Sequence, residues 1–290
     1  MFIATLIASD LPQGEVTAAR DRLDSVGCLP VAHVWVEKGE AIDLQFGRDP
    51  DAARTALEGQ GYDVVVQPAE HRRKKLIVAD MDSTMITVEC IDELADYAGI
   101  KAQIAAVTEA AMRGELDFGE ALDARVALLK GLDEGVIARC LAERVKIMPG
   151  ARELVRTMRG WGATAILVSG GFTRFAEPVA AEIGFTRAIA NVLEIADGKL
   201  AGTVTKPIVD ASTKLATLSE AGLELGLSRA ETLAVGDGAN DLAMITQAGL
   251  GVAYHAKPVV AAAAGARIDH GDLTTLLFAQ GVARKDWISG

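Results

Sequence analysis

Residues 76–90 read LIVADMDSTMITVEC: four apolar residues, Leu76 to Ala79, run straight into two carboxylates, Asp80 and Asp82. A short apolar run without polar alternation suits a parallel strand covered on both faces. An unpaired charge inside such a strand would cost several kcal/mol of desolvation. The two acids therefore belong where the strand ends. From Leu76 onward, apolar strands and amphipathic helices alternate through TAILVSGG, KLATLSEAGLELGL, TLAVGDGANDLAMITQAG and LGVAYHA, with short glycine-rich turns. That alternation predicts an α/β fold with a doubly wound parallel sheet. Residues 89–145 interrupt it with a helical pattern throughout, through CIDELADYAG, KAQIAAVTEAAMRGE, DFGEALDARVALLKG and DEGVIARCLAERV, so they read as an insertion after the first strand of the sheet.

Upstream, residues 1–70 alternate on a smaller scale. FIATLIAS, PVAHVWVE, AIDLQFG and DVVVQP read as strands, and VTAARDRLDSVG and DPDAARTALEGQG as helices, the second capped by Asp49 with Pro50 at its first position. Strand, helix, strand, strand, helix, strand is the order of a ferredoxin-like α+β unit. In that element order the segment resembles the ACT-like modules attached to amino-acid enzymes. The basic run EHRRKK, residues 70–75, reads as a solvated linker. The predicted organisation is residues 1–70 as the small unit, 71–75 as linker, 76–88 and 146–290 as the core, and 89–145 as the insertion.

Composition narrows the classes. The formal charge of −11 repels nucleic-acid phosphates and anionic lipid at long range, so neither is an expected partner, and an anionic substrate would need local positive charge. Cys28, Cys90 and Cys140 are isolated and lack C-x-x-C spacing, which predicts reduced structural thiols rather than disulfides or a zinc site, in a cytoplasmic protein. The first ten residues lack a basic flank and the apolar runs are short, so no signal peptide and no membrane span are expected.

In an open parallel sheet the ligand crevice lies beyond the carboxyl ends of the strands. Three strands here end in chemistry: LIVAD at Asp80, AILVS at Ser169 before Gly170 and Gly171, and TLAVG before Asp237, Asn240 and Asp241. Clustered carboxylates without His or Cys are hard oxygen ligands and favour Mg²⁺ over zinc. Such an ion favours a phosphate substrate, whose charge it neutralises. Asp80 is then placed to be a nucleophile forming an aspartyl-phosphate, and Asp82 to act as general acid and then general base. Ser169 and Gly170 offer a hydroxyl and a closely approachable N–H to phosphate oxygens, with a helix N-terminus following. Lys214, near the start of a helix, offers a cation.

In order and spacing, DMDST after an apolar strand, VSGG, a downstream lysine and VGDGAND resemble the four motifs of the haloacid dehalogenase-like phosphatases, over about residues 76–270. The resemblance implies Asp80 as nucleophile, Asp82 as acid/base and Mg²⁺ held by Asp80, Asp237 and the backbone carbonyl of Asp82. It also implies that Ser169, Gly170 and Lys214 bind phosphate, that Asn240 lies near the substrate and that Asp241 supports the metal shell. MITVECIDELADYAG and AAMRGELDFGEALDARVALLKG are similar to members of the family that act on O-phospho-L-serine, with residues 89–145 as a cap. They imply Glu89, Met112, Phe118 and Arg125 as substrate-facing residues. A free amino acid carries an ammonium and a carboxylate beside its phosphate, which calls for an acid and a bidentate cation such as Glu89 and Arg125. Met112 and Phe118 would exclude water. On spacing alone these four read as surface charges and bundle core.

The expectation is therefore Mg²⁺-dependent hydrolysis of O-phospho-L-serine to L-serine, the last step of serine synthesis. Two alternatives stand beside it: transfer of the phosphoryl group to an alcohol such as homoserine, and a non-enzymatic amino-acid sensor. A homodimer and an amino-acid ligand on residues 1–70 stay open.

Overall fold

In the computed structural model, which describes residues 1–113 and 115–289, the apolar run Leu76–Ala79 forms an internal strand in the parallel part of a ten-stranded sheet. The strands are β1 (Phe2–Ile7), β2 (Pro30–Glu37), β3 (Ala41–Phe46), β4 (Asp63–Pro68), β5 (Leu76–Ala79), β6 (Thr164–Phe172), β7 (Arg187–Asn191), β8 (Leu193–Ala196), β9 (Lys199–Val204), β10 (Thr232–Gly236), β11 (Leu250–Tyr254) and β12 (Ala266–Ile268). The helices are α1 (Gln13–Ser25), α2 (Pro50–Leu57), α3 (Cys90–Tyr97), α4 (Lys101–Met112), α5 (Phe118–Leu128), α6 (Gly135–Glu143), α7 (Ala151–Gly160), α8 (Thr173–Ile183), α9 (Ala211–Glu224), α10 (Leu242–Gln247), α11 (Pro258–Ala263) and α12 (Thr275–Ala279).

All four residues of β5 are fully buried. Because strand side chains alternate in direction, Ile77 and Ala79 join one apolar layer with Leu154, Met158, Phe175 and Leu277. Leu76 and Val78 join the opposite layer with Leu218, Met244 and Val260. Each large side chain buried this way stabilises the fold by roughly 1.5–3 kcal/mol, which is why the strand carries no polar residue until it ends. The parallel strands run β12-β11-β10-β5-β6-β7, so the order reverses between β5 and β10. Register pairs Ala79 with Val235, and the tips of both strands open into one crevice.

The helices α3–α6 lie between β5 and β6, and the two chain crossings run side by side, with Thr87 N–H donating to the Lys146 carbonyl and Met148 N–H to that of Met85. The hairpin β8–β9 packs beside α5, and Gly131, just past the end of that helix, donates its N–H to the Leu200 carbonyl.

Residues 1–68 form an antiparallel set ordered β2-β3-β1-β4, with α1 and α2 packed over one face around Leu6, Leu23, Leu44 and Phe46. Asp49 caps α2 as expected, accepting from Ala52 N–H. This set is continuous with the parallel sheet, because β4 pairs antiparallel with β12 through Val64 and Arg267 and makes a single ten-stranded sheet. Asp63 fastens the seam by accepting from the N–H groups of Asp269, His270 and Gly271.

The solvated reading of residues 70–75 is corrected. His71, Arg73 and Lys75 are exposed, but the alternate residues Arg72 and Lys74 point inward. Arg72 grips Asp43 with two nitrogens and donates to the Ala279 carbonyl at 2.8 Å. Lys74, 2% exposed, donates to the carbonyls of His71 and Ala230, both at 2.9 Å. Extended backbone alternates its faces, so half of a uniformly basic run can be buried if each cation finds acceptors. No helix among the described residues is long and apolar enough to cross a membrane, and the three cysteines are free thiols, all buried.

Candidate active site

The β5 tip continues the sheet by one bond, Asp80 N–H to the Val235 carbonyl at 3.0 Å, and then turns sharply. Thr84, Met85 and Ile86 all donate to the Met81 carbonyl, with Ser83 at a φ of 57°. The bend returns Asp82 to the crevice, where a Cβ added at Gly171 would lie 3.3 Å from its Oδ2.

From β10 the chain delivers Asp237, whose Oδ1 accepts from Thr84 at 3.3 Å, and Asp241, whose Oδ2 accepts from Gly238 N–H at 3.1 Å. Lys214 reaches the same place from the first turn of α9. Asp210 caps that helix by accepting from Thr213 N–H, and the fully buried ammonium sits 2.6 Å from Asp80 Oδ1 and 2.7 Å from Asp241 Oδ1. Oxygen atoms of Asp80, Asp237 and Asp241 lie within 4.8 Å of one another.

Electrostatics follow from this crowding. Burial pushes the Asp82 carboxyl well above its usual range, and the charges of Glu89 and Asp80 add to it. Its Oδ1 is buried without a partner among the described residues. Burial followed by the charge of Asp80 raises Asp237 to about 6, and raises Asp241 to about 7 against the pull of Lys214. Burial draws Lys214 down, but Asp80 and Asp241 together hold it above its ordinary value.

Ser169 is buried on β6 and accepts from Gly171 N–H at 2.9 Å. Here the expected strand end shifts: β6 runs on through Gly170 and Gly171 to Phe172 across a register irregularity against β7, and α8 starts only at Thr173. The glycines let the strand bulge rather than turn. Asn191, which sequence reading passed over, holds the bulge by donating to the Gly170 carbonyl at 2.8 Å while accepting from Val209 N–H.

Residues from the helices between β5 and β6 line the same crevice. A reciprocal Asp117–Glu120 capping box fixes the start of α5 at Phe118. Phe118, Leu122 and Arg125 then fall at i, i+4 and i+7 on one helix face, and all three line the cavity. The Phe118 ring stands over Gly170, with Cζ 3.1 Å from where a Cβ would be. Glu89, just before α3, accepts from Ser83 Oγ at 2.8 Å. Burial lowers the proton affinity of Arg125, and the charges of Asp92 and Glu89 act against that.

One cavity of about 470 Å³ therefore joins Asp80, Asp82, Asp237, Asn240, Ser169 and Gly170 to Glu89, Phe118 and Arg125. Lys214 and Asp241 stand behind it. The side chain of Met112 lies outside the described residues. Asp92 and Lys257 also line the cavity and were missed. Lys257 follows β11, the neighbour of β10, so the strand-tip rule that located the other residues applied there too.

The chain belongs to the haloacid dehalogenase-like hydrolases, whose family model matches residues 77–246. It is 45% identical over 246 residues to a phosphoserine phosphatase of Streptomyces coelicolor, covering 83% of this chain and 60% of that one. It is 49% identical over 213 residues to a phosphoserine phosphatase of Mycobacterium tuberculosis, covering 73% and 52%. The chain thus spans between half and two thirds of the length of these two relatives. Among solved structures, a probable phosphoserine phosphatase from Vibrio cholerae superposes with a TM-score of 0.78 at 33% identity, over 98% of this chain and 87% of that one.

Proposed function

We propose that this chain hydrolyses O-phospho-L-serine to L-serine and phosphate. The observation that carries the proposal is that Asp80 and Asp82 line one cavity together with Glu89 and Arg125, so a nucleophile and an acid share it with an acid and a cation suited to an amino acid. The names of its relatives point the same way.

On this reading the Asp80 oxygen not held by Lys214 attacks phosphorus, and the bond to the serine oxygen breaks. Asp82, kept protonated by its buried, acid-rich surroundings, gives that oxygen its proton. As a carboxylate it then takes a proton from the water that cleaves the aspartyl-phosphate. Ser169 Oγ and the Gly170 N–H receive phosphate oxygens, Lys214 orients Asp80, and Asn240 lies beside the transferring group. Arg125 pairs with the substrate carboxylate and Glu89 with its ammonium, while Phe118 and Met112 keep water out.

The all-oxygen cluster of Asp80, Asp237 and Asp241 fits a hard divalent cation, and we assign Mg²⁺, held by Asp80, Asp237 and, as the family resemblance implies, the Asp82 carbonyl, with Asp241 behind. When bound, the ion supplies neutralisation of phosphoryl charge. The same reading makes residues 89–145 a cap over a core of 76–88 and 146–290, and residues 1–70 a ferredoxin-like, ACT-like unit. It places the chain in the cytoplasm, and leaves self-association and an amino-acid ligand on that unit as further proposals.

The test is phosphate release from O-phospho-L-serine with Mg²⁺ and with EDTA, beside a sugar phosphate and beside phosphoserine plus homoserine. Metal-dependent release selective for phosphoserine and unchanged by homoserine is expected. Phosphohomoserine in the product would replace hydrolysis with transfer, and silence on every substrate would end the enzymatic reading.

A further inference from the structure

The cavity is lined by five carboxylates, those of Asp80, Asp82, Glu89, Asp92 and Asp237. Only two cationic side chains among the described residues line it, Arg125 and Lys257. A phosphomonoester reaches it as a dianion, toward a chain whose formal charge is already −11. A cation at the rim would offset that repulsion during approach, before the dianion reaches the metal-binding carboxylates, and the protein's cations differ in their freedom to do so.

Lys214 is fully buried behind Asp80, with its charge already engaged by two carboxylates. Arg125 is partly buried on α5, donates to the Ala121 carbonyl at 3.1 Å, and already feels the charges of Asp92 and Glu89. Lys257 is exposed and takes part in no ion pair within 4.0 Å among the described residues. Its backbone, by contrast, is fixed. The N–H donates to the Asp237 carbonyl at 3.3 Å, the carbonyl accepts from Val260 N–H at 2.9 Å, and Pro258 opens α11 immediately after. The side chain therefore springs from a rigid point beside Asp237, and its charge bears on both Asp237 and Glu89, on the core and helical sides of the opening.

We infer that Lys257 is the substrate-recruiting cation of this site, drawing the phosphomonoester dianion past the rim carboxylates toward Ser169 and Gly170. The inference rests on the phosphatase reading. A solvated ammonium a few ångströms from a dianion is worth about tenfold in affinity at low salt, and the advantage fades progressively as the Debye length shrinks toward their separation.

The experiment compares wild type with Lys257→Met, Lys257→Arg and Lys257→Glu, which sit on the surface and leave the buried ion pairs of the site in place. Steady-state phosphate release from O-phospho-L-serine is measured between about 0.02 and 0.3 M ionic strength, and binding of inorganic phosphate is titrated by calorimetry. Lys257→Met should raise KM about tenfold at low salt, with the smaller part of the loss in kcat and a flattened dependence on ionic strength. Lys257→Arg should restore both, and Lys257→Glu should be worse than Lys257→Met. A loss in kcat alone, an unchanged salt dependence in Lys257→Met, or failure of Lys257→Arg to rescue would overturn the inference. If wild type releases no phosphate, the phosphatase reading fails instead. Calorimetry then decides Lys257 separately, since equal phosphate affinity in wild type and Lys257→Met refutes recruitment and weaker affinity in the variant supports it.

Discussion

Replacing Lys214 with Met keeps most of the volume of the side chain, one atom shorter, but removes a charge that touches two buried carboxylates, at 2.6 Å to Asp80 and 2.7 Å to Asp241. Breaking a buried ion pair from one side leaves its partner uncompensated and typically costs about 3–5 kcal/mol. Asp241 is the group that suffers most, because it has no exposed surface through which water can replace the ammonium. Lys214→Met should therefore lower the unfolding free energy in EDTA by about 3 kcal/mol at pH 8, read by urea titration. The loss should shrink toward pH 5. A carboxyl whose folded pKa is raised contributes stability that is complete below its unfolded pKa and is lost as pH rises through the folded value, here about 7 for Asp241 even with the lysine present. The double variant Lys214→Met/Asp241→Asn removes the orphaned charge and should recover most of the stability. It should stay inactive on O-phospho-L-serine, since Asp80 still lacks the cation that orients it. A single variant as stable as wild type, or a double variant that regains turnover, would refute this account of Lys214.

Asp80→Asn should abolish phosphate release while the thermal transition persists, and turnover above about a thousandth of wild type would remove Asp80 as nucleophile. Arg125→Ala should reduce kcat/KM for phosphoserine about 100-fold but hardly change hydrolysis of a phosphate ester without a carboxylate; equal losses on both would remove its recognition role. Lys74 gives a pH test away from the site. Burial lowers its ammonium to about 8 from an ordinary 10.5, so the native state binds fewer protons than the unfolded chain across that interval. The penalty is complete below pH 8 and is relieved as pH rises to 10.5. The unfolding free energy of wild type minus that of Lys74→Met should thus rise by up to about 3 kcal/mol between those limits. A difference flat with pH would mean that Lys74 is solvated.

The strand tips were legible because each ends a run that burial forces to be apolar, so the first polar residue stands out: Asp80 after β5, Ser169 after the apolar part of β6, Asp237 after β10. Their convergence was legible too, since parallel order places all three at one sheet edge. What sequence could not show is pairing between distant short segments. β12 is three residues within an alanine- and glycine-rich stretch, and only its contact with β4 reveals that the first 70 residues extend the same sheet. The inward turn of Arg72 and Lys74 was hidden for a related reason. Their acceptors, Asp43, Ala230 and Ala279, come from three remote places, and a basic run looks solvated until those are known. Lys257 follows a strand tip like the others, but a single lysine after a strand becomes notable only when that strand proves to lie beside β10.

Gly236 shows how far the two kinds of information differ at one position. In the sequence it closes the apolar run TLAVG, and nothing there says why the last residue of the strand is a glycine. In the structure it belongs to β10 and carries no left-handed φ. A Cβ there would sit 2.4 Å from Cγ of Asp241, inside the carboxyl group that Lys214 holds. The glycine is therefore required by the neighbouring acid rather than by the turn. Asp241 can stand beside Asp80 and Lys214 only because the adjacent strand presents no side chain, so the strand tip and the carboxylate four residues after Asp237 form one steric unit. The spacing of that motif follows from the packing of an ion pair against a bare backbone, and a sequence alone records the spacing without the reason for it.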